Sequence, residues 1–172
     1  MKKIFRFSLY ILVVLLLTGV VKTFVFQRAI VEGDSMMDTL SDGDNLIVSK
    51  LKAVSGKYKR FDIVVFPYDR SGEVYYIKRI IGMPGETVRI TDGSIFIDDI
   101  PLVEHFGKEE IADGGLAGAT VVLGRDEYFV LGDNRNESLD SRSSKVGNIK
   151  KKDIMGKVVL RIWPLKSFGK VR

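Results

Sequence analysis

Apolar positions along this chain follow two patterns. Between residues 4 and 26 they run almost unbroken, with charge only at Arg6 and Lys22. Beyond that point they come in short runs, most of four to eight residues, set between Gly, Pro, Asp, Asn or Ser. Short apolar runs closed by turn formers predict strands rather than helices. The runs are "NLIVSKL" (45–51), "FDIVVF" (61–66), "VYYIKRII" (74–81), "TVRI" (87–90), "SIFID" (94–98), "ATVVLGRDEYFVL" (119–131) and "GKVVLRIWPL" (156–165). "PYDRSGE" closes the second run, "GMPGE" the third and Pro164 the last. Thr91-Asp92-Gly93 predicts a hairpin between 87–90 and 94–98, and Gly124 to Asp126 predicts a second one. Many short strands at this spacing predict a mostly β domain, a barrel or a sandwich. Residues 104–118, with "ADGGLAG", are expected to form a flexible excursion carrying no chemistry.

The first pattern predicts a membrane segment. Residues 7–21 are fifteen uncharged, mostly apolar positions, short of the roughly 20 that span a bilayer core. Counting 4–26, with Lys22 reaching back to the interface, meets that length. A cleavable secretory signal would need small residues after the run, but "TGVVKTFVFQ" offers bulky or charged ones. The expectation is therefore an uncleaved anchor. Lys2, Lys3 and Arg6 before it predict a short cytoplasmic N-terminus (1–6), a transmembrane anchor (7–27) and an extracytoplasmic β-rich domain (28–172). That places the protein in the cell membrane as a single-pass chain, with lipid as one partner.

Composition narrows the chemistry. With no cysteine among 172 residues there is no disulfide framework, thiolate nucleophile or zinc ribbon. A lone histidine, His105, excludes a His-rich metal cluster and sits in the excursion, where a solvent-facing role is expected. The Asp-rich "SDGDN" (41–45) lacks the ligand count of a calcium loop and is read as a turn, so no metal or cofactor is expected. The net charge is +5, and from residue 145 onward nine basic residues face Asp153 alone. Such a tail suits anionic headgroups or a solvated lysine-rich surface. No nucleic-acid role is expected, because aromatic interleaving and a recognition-helix motif are both lacking.

"EGDSMMDTL" (32–40) places one serine, Ser35, behind a glycine and just beyond the apolar run. A serine becomes a nucleophile only when a neighbouring base takes its proton. Without a suitable histidine a lysine can serve, provided burial lowers its pKa from about 10.4 to roughly 7–8. Lys78, inside "VYYIKRII", is the lysine most readily buried. A two-residue period puts it on one face with Tyr76 and Ile80, and Arg79 on the other with Ile77 and Ile81. The competing reading is an exposed strand lysine. "SKLK" (49–52) fits the S-x-x-K pattern of penicillin-interacting enzymes, but the companion motifs are missing. "LGDNRNESLDSR" (131–142) reads either as a polar loop holding an Asp140–Arg142 ion pair or as a shelf that orients the base. Asn136-Glu137-Ser138 is a glycosylation sequon by pattern only.

Together these blocks resemble the type I signal peptidase family, membrane-anchored serine proteases that cut signal peptides from exported proteins. "GDSMMDTL" resembles the family's nucleophile box, "RFDIVVF" the strand box after it, "YYIKRIIGMPGE" the general-base box and "GDNRNESLDSR" the supporting box. The resemblance implies a Ser35/Lys78 dyad acting after a small residue, and signal peptides of exported preproteins as partners. It further implies Ser138 hydrogen-bonded to the Lys78 amine and an Asp140–Arg142 pair shaping the shelf. Gly33 and Asp34 would line the substrate site, with no hydroxyl at 33 for the oxyanion hole, and Met36 would rest near the lipid. Two departures stand out: Asp38 where the family usually has proline, and Phe61 where it has glycine. Relatives dedicated to surface pili include inactive members. The alternative is therefore a weak or inactive assembly factor with pilin or secretion-machinery partners.

Overall fold

The computed structural model describes residues 2–51, 56–68, 74–107 and 109–171. An α-helix, α1 (Lys2–Phe24), leads into twelve strands. The first six are β1 (Phe26–Ile30), β2 (Asn45–Ser49), β3 (Ile63–Pro67), β4 (Tyr75–Gly82), β5 (Thr87–Thr91) and β6 (Ser94–Ile97). The rest are β7 (Ile100–Pro101), β8 (Val121–Val122), β9 (Glu127–Leu131), β10 (Ile149–Lys150), β11 (Gly156–Trp163) and β12 (Gly169–Lys170). The mostly β expectation therefore holds. Phe26 and Gln27, which the sequence reading gave to the anchor, open β1 instead. The side chains of α1 at 2, 5, 17 and 20–24 lie outside the described set, as do residues 52–55 and 69–73, which cover Lys52 and most of the turn after β3. Among the described residues, no helix is long and apolar enough to cross a membrane.

The strands form an eight-stranded sheet in the order β1-β2-β11-β3-β4-β9-β10, with β12 against β11, and a four-stranded sheet β7-β6-β5-β8. The β5–β6 hairpin turns at Asp92 and Gly93, whose φ values of 49° and 72° are those of a type I′ turn. The expected second hairpin does not form. Its turn is present, with Glu127 N–H donating to the Gly124 carbonyl, but β8 pairs with β5 whereas β9 pairs with β4. The chain changes sheets at that corner, a choice that strand-forming residues on both sides leave open.

Strand β4 is the hub. Its last five residues are all buried, so both of its faces are covered. Ile80 packs with Val64, Phe66 and Val130, while Ile81 packs with Val88, Phe129 and Leu131. Each such aliphatic side chain withdrawn from water stabilises the fold by roughly 1.5–3 kcal/mol. A third cluster of Val31, Met36, Leu40, Leu46, Val48, Ile63, Val65 and Val158 sits beneath the loop after β1. Residues 104–118 are not a loose excursion. Ile111 and Ala117 are buried, and Arg135 holds Glu104 and the Phe106 carbonyl. His105 is exposed, as expected.

The glycine expected at 61 has a structural reason, because Phe61 has a φ of +70°. A left-handed backbone costs a non-glycine residue about 1–2 kcal/mol. Here the ring packs on Phe106 at 5.1 Å between centroids, and the carbonyl accepts from Arg79 Nη1 at 2.9 Å. Phe61→Ala and Phe61→Gly both lose the ring contact, but only glycine relieves the backbone. The glycine variant should be the more stable of the two by about 1 kcal/mol in denaturant unfolding.

Candidate active site

Ser35 lies on a tight turn between β1 and β2. Leu40 N–H donates to the Met36 carbonyl at 2.8 Å, and Met37 N–H to the Asp34 carbonyl at 3.0 Å. Gly33 enters this turn at φ +82°, where a side chain would be strained, and its N–H donates to Asp42 Oδ1 at 2.8 Å. Leu40 and Met36 are fully or almost fully buried and pin the turn from below. Met36 is therefore not a lipid-facing residue; the neighbouring Met37 is the exposed one. The Asp38 side chain is also exposed and does not enter the core.

Lys78 comes from the middle of β4, across from Val64 of β3. It is 3% exposed, and its Nζ donates to Ser35 Oγ at 2.6 Å. Nζ also lies 4.9 Å from the centroid of Tyr76, its same-face neighbour. Burial pulls the amine down from its ordinary range to about 8, although the Asp140 and Asp133 carboxylates act in the opposite direction. A primary amine of that kind exchanges a proton with an adjacent alcohol near neutral pH. The Ser35 N–H makes no backbone hydrogen bond within the described residues, which leaves it able to receive an oxyanion.

The 131–142 segment forms the back of the site. Asp140 is fully buried; it accepts from Gly132 N–H at 3.1 Å and from Arg142 Nε at 2.9 Å. The Asp140–Arg142 pair is thus present, and it braces the segment from within. Asn134 reaches the nucleophile turn twice, its N–H donating to the Ser35 carbonyl at 3.1 Å and its Nδ2 to the Asp34 carbonyl at 3.2 Å. Ser138 does not sit where expected. Its Oγ is buried without a hydrogen-bond partner and makes no bond to Lys78. It packs instead against Gly132, which also faces the Ser35 carbonyl.

Sequence reasoning missed one group. Arg79, fully buried, binds Asp133 through Nε at 2.8 Å and Nη2 at 2.6 Å. Asp133 also accepts from Thr39 Oγ1 at 2.5 Å. This pair ties the strand carrying Lys78 to the turn carrying Ser35 from the opposite face. The available signal was a second cation beside Lys78 in an apolar strand, for which an acidic partner had to exist.

A groove of about 440 Å³ runs past Ser35 and Lys78, between 30–36 and 74–78, with Glu137 and Leu139 at its far side. The family model for signal peptidase, peptidase S26, matches residues 4–163. The chain belongs to that family. It is 38% identical over 162 residues to signal peptidase I P of Bacillus subtilis subsp. natto, covering 90% of this chain and 86% of that one. It is 39% identical over 160 residues to signal peptidase I of Bacillus caldolyticus, covering 86% and 85%. A crystal structure of a signal peptidase I from Enterococcus faecalis V583 is 34% identical, covers 59% of this chain and 96% of that one, and gives a TM-score of 0.48. This family member is a serine endopeptidase.

At Gly132 an added Cβ would overlap both Ser138 Oγ and the Ser35 carbonyl oxygen. Gly132→Ala should push the turn away from the lysine and lower peptide cleavage by about 100-fold, with modest loss of stability. Parallel measurement of turnover and thermal unfolding separates the two effects.

Proposed function

We propose that this chain removes signal peptides from exported precursors, with Ser35 as nucleophile and Lys78 as general base. The 2.6 Å contact between a buried amine and the hydroxyl is the observation that carries the reading. Ser35 Oγ attacks the scissile carbonyl as its proton passes to Lys78 Nζ. The Ser35 N–H supports the oxyanion. Nζ then returns the proton to the departing amine, leaving an acyl-enzyme that water hydrolyses by the same base. Val31, Met36 and Ile77 border the groove beside Ser35, which suits a small side chain before the cut. Asp140 and Arg142 shape the shelf behind the lysine, and Ser138 fills the space under Gly132.

In this reading the apolar run from 4 to 26 anchors the protein, with the N-terminus inside and the β domain outside. The described apolar side chains of α1, Phe7 through Leu16, are exposed, as a lipid-facing surface requires. Phe26, Ile30, Val74 and Tyr75 are exposed as well, and the last three line the site groove. The inactive assembly-factor alternative is not favoured, because the dyad is in hydrogen-bonding contact and the exposed Asp38 is not among the residues that line the groove. Externally added protease digesting the β domain on intact cells is the expected topology result; protection would overturn the orientation.

Ser35→Ala and Lys78→Met should each lower cleavage of a precursor by at least about 10³-fold. Activity of the native chain should rise with pH and level off above about 8, because only the neutral amine accepts the serine proton. A pH–rate profile flat from pH 6 to 10 would refute the lysine as base.

The same burial makes Lys78 a liability to the fold. Its folded-state pKa of about 8 lies below the unfolded value, so the unfolded chain binds more protons between pH 8 and 10.5 and stability rises across that window. Lys78→Met should therefore be the more stable protein at pH 7, by up to about 3 kcal/mol. The difference should shrink as unfolding is measured at increasing pH.

A further inference from the structure

The groove is defined by Ser35 and Lys78, but its charge is set by other residues. Glu32, Asp34 and Glu137 all line it, and all three side chains are exposed. Among the described residues Lys78 is the only cation lining it, and that amine is buried against the serine. The nearby arginines of the shelf are occupied elsewhere, Arg135 with Glu104 and Arg142 with Asp140. None of the three carboxylates forms an ion pair among the described residues. The negative rim also runs against the charge of the chain, which is +5 overall with its basic residues gathered beyond position 145.

A concave site lined by one sign of charge focuses its field on whatever enters. A peptide threading past Ser35 passes Glu32 and Asp34 on the nucleophile turn and Glu137 on the shelf. We propose that these three carboxylates make the groove selective for substrates bearing lysine or arginine beside the scissile bond, and against substrates bearing a carboxylate there. The inference rests on the peptidase reading above and adds a second requirement to it: a small residue before the cut, and basic charge around it. Because the carboxylates are exposed, each contributes modestly and is screened by salt. Together they shift preference by about three- to tenfold at low ionic strength. The effect acts on encounter and binding, so it falls on KM more than on kcat.

The test uses the full chain in phosphatidylcholine vesicles and peptides sharing one small-residue cleavage sequence. Gln, Lys or Glu is placed in turn at each of three positions on either side of the cut. The expected result is a kcat/KM ratio of Lys to Glu peptides of about three to ten at one or more positions, carried by KM and reduced at high salt. Glu32→Gln and Glu137→Gln, singly and together, should bring that ratio toward one; the ratio is internal to each variant and does not depend on its absolute rate. A ratio of one in the native chain overturns the inference while leaving the peptidase reading intact. A ratio that survives the double variant and high salt overturns it as well. If the Gln peptide is not cut at all, the peptidase reading is the one that fails. Anisotropy of labelled Lys and Glu peptides binding to the Ser35→Ala protein then decides the charge preference separately.

Discussion

An ammonium group removed from water loses far more solvation than the interior returns, and the Lys78 amine is removed from water almost completely. That penalty favours the neutral amine, the form able to take a proton from Ser35. The architecture around it keeps the amine dry: β4 runs between β3 and β9, and its two faces lie under different parts of the core. Asp133 and Asp140 oppose the shift, so the site is a compromise between hydrophobic cover and nearby negative charge. A fully apolar surrounding would depress the amine further but would leave nothing polar to hold the nucleophile turn.

Two consecutive cations on β4 are handled in opposite ways. Lys78 meets a neutral hydroxyl and a ring face. Arg79, one residue on and facing the other side, meets Asp133 through two hydrogen bonds, with the ring of Phe106 3.6 Å from its guanidinium carbon. A lysine gives up its proton when its partners are neutral, whereas a guanidinium keeps its charge and requires a carboxylate. The alternation of a strand therefore separates a chemical group from a structural one at adjacent positions. Through Thr39 and Asp133 the structural group reaches the nucleophile turn, so the same strand supplies the base and steadies its target.

Much of this was legible in the linear pattern. Short apolar runs with turn formers between them specified the longer inner strands, and Asp92-Gly93 specified its hairpin, because those signals are local. Ser35 and Lys78 were identified as partners because an apolar strand could bury that lysine and because their blocks resemble the family's nucleophile and base boxes, and the Asp140–Arg142 pair because the two stand only two positions apart. The flexible excursion, the β8–β9 hairpin, the lipid-facing Met36 and the Ser138–Lys78 hydrogen bond were not correct. Each depended on what lies on the far side of a residue, and that partner is distant in sequence.

The sequence by itself determined the longer inner strands and the alternation of faces on β4, because these follow from chain periodicity. The short strands β1, β7, β10 and β12 escaped it, and the Ser35–Lys78 pairing came from the motifs' resemblance to a family. Only the tertiary structure decided that both faces of β4 would be covered, that Asp133 would neutralise Arg79, and that Gly132 would let the shelf close against Ser35. Burial and close approach belong to the surroundings a residue acquires on folding. An amine's basicity depends on those surroundings, so the chemistry of Lys78 becomes defined only once the sheets have packed around it.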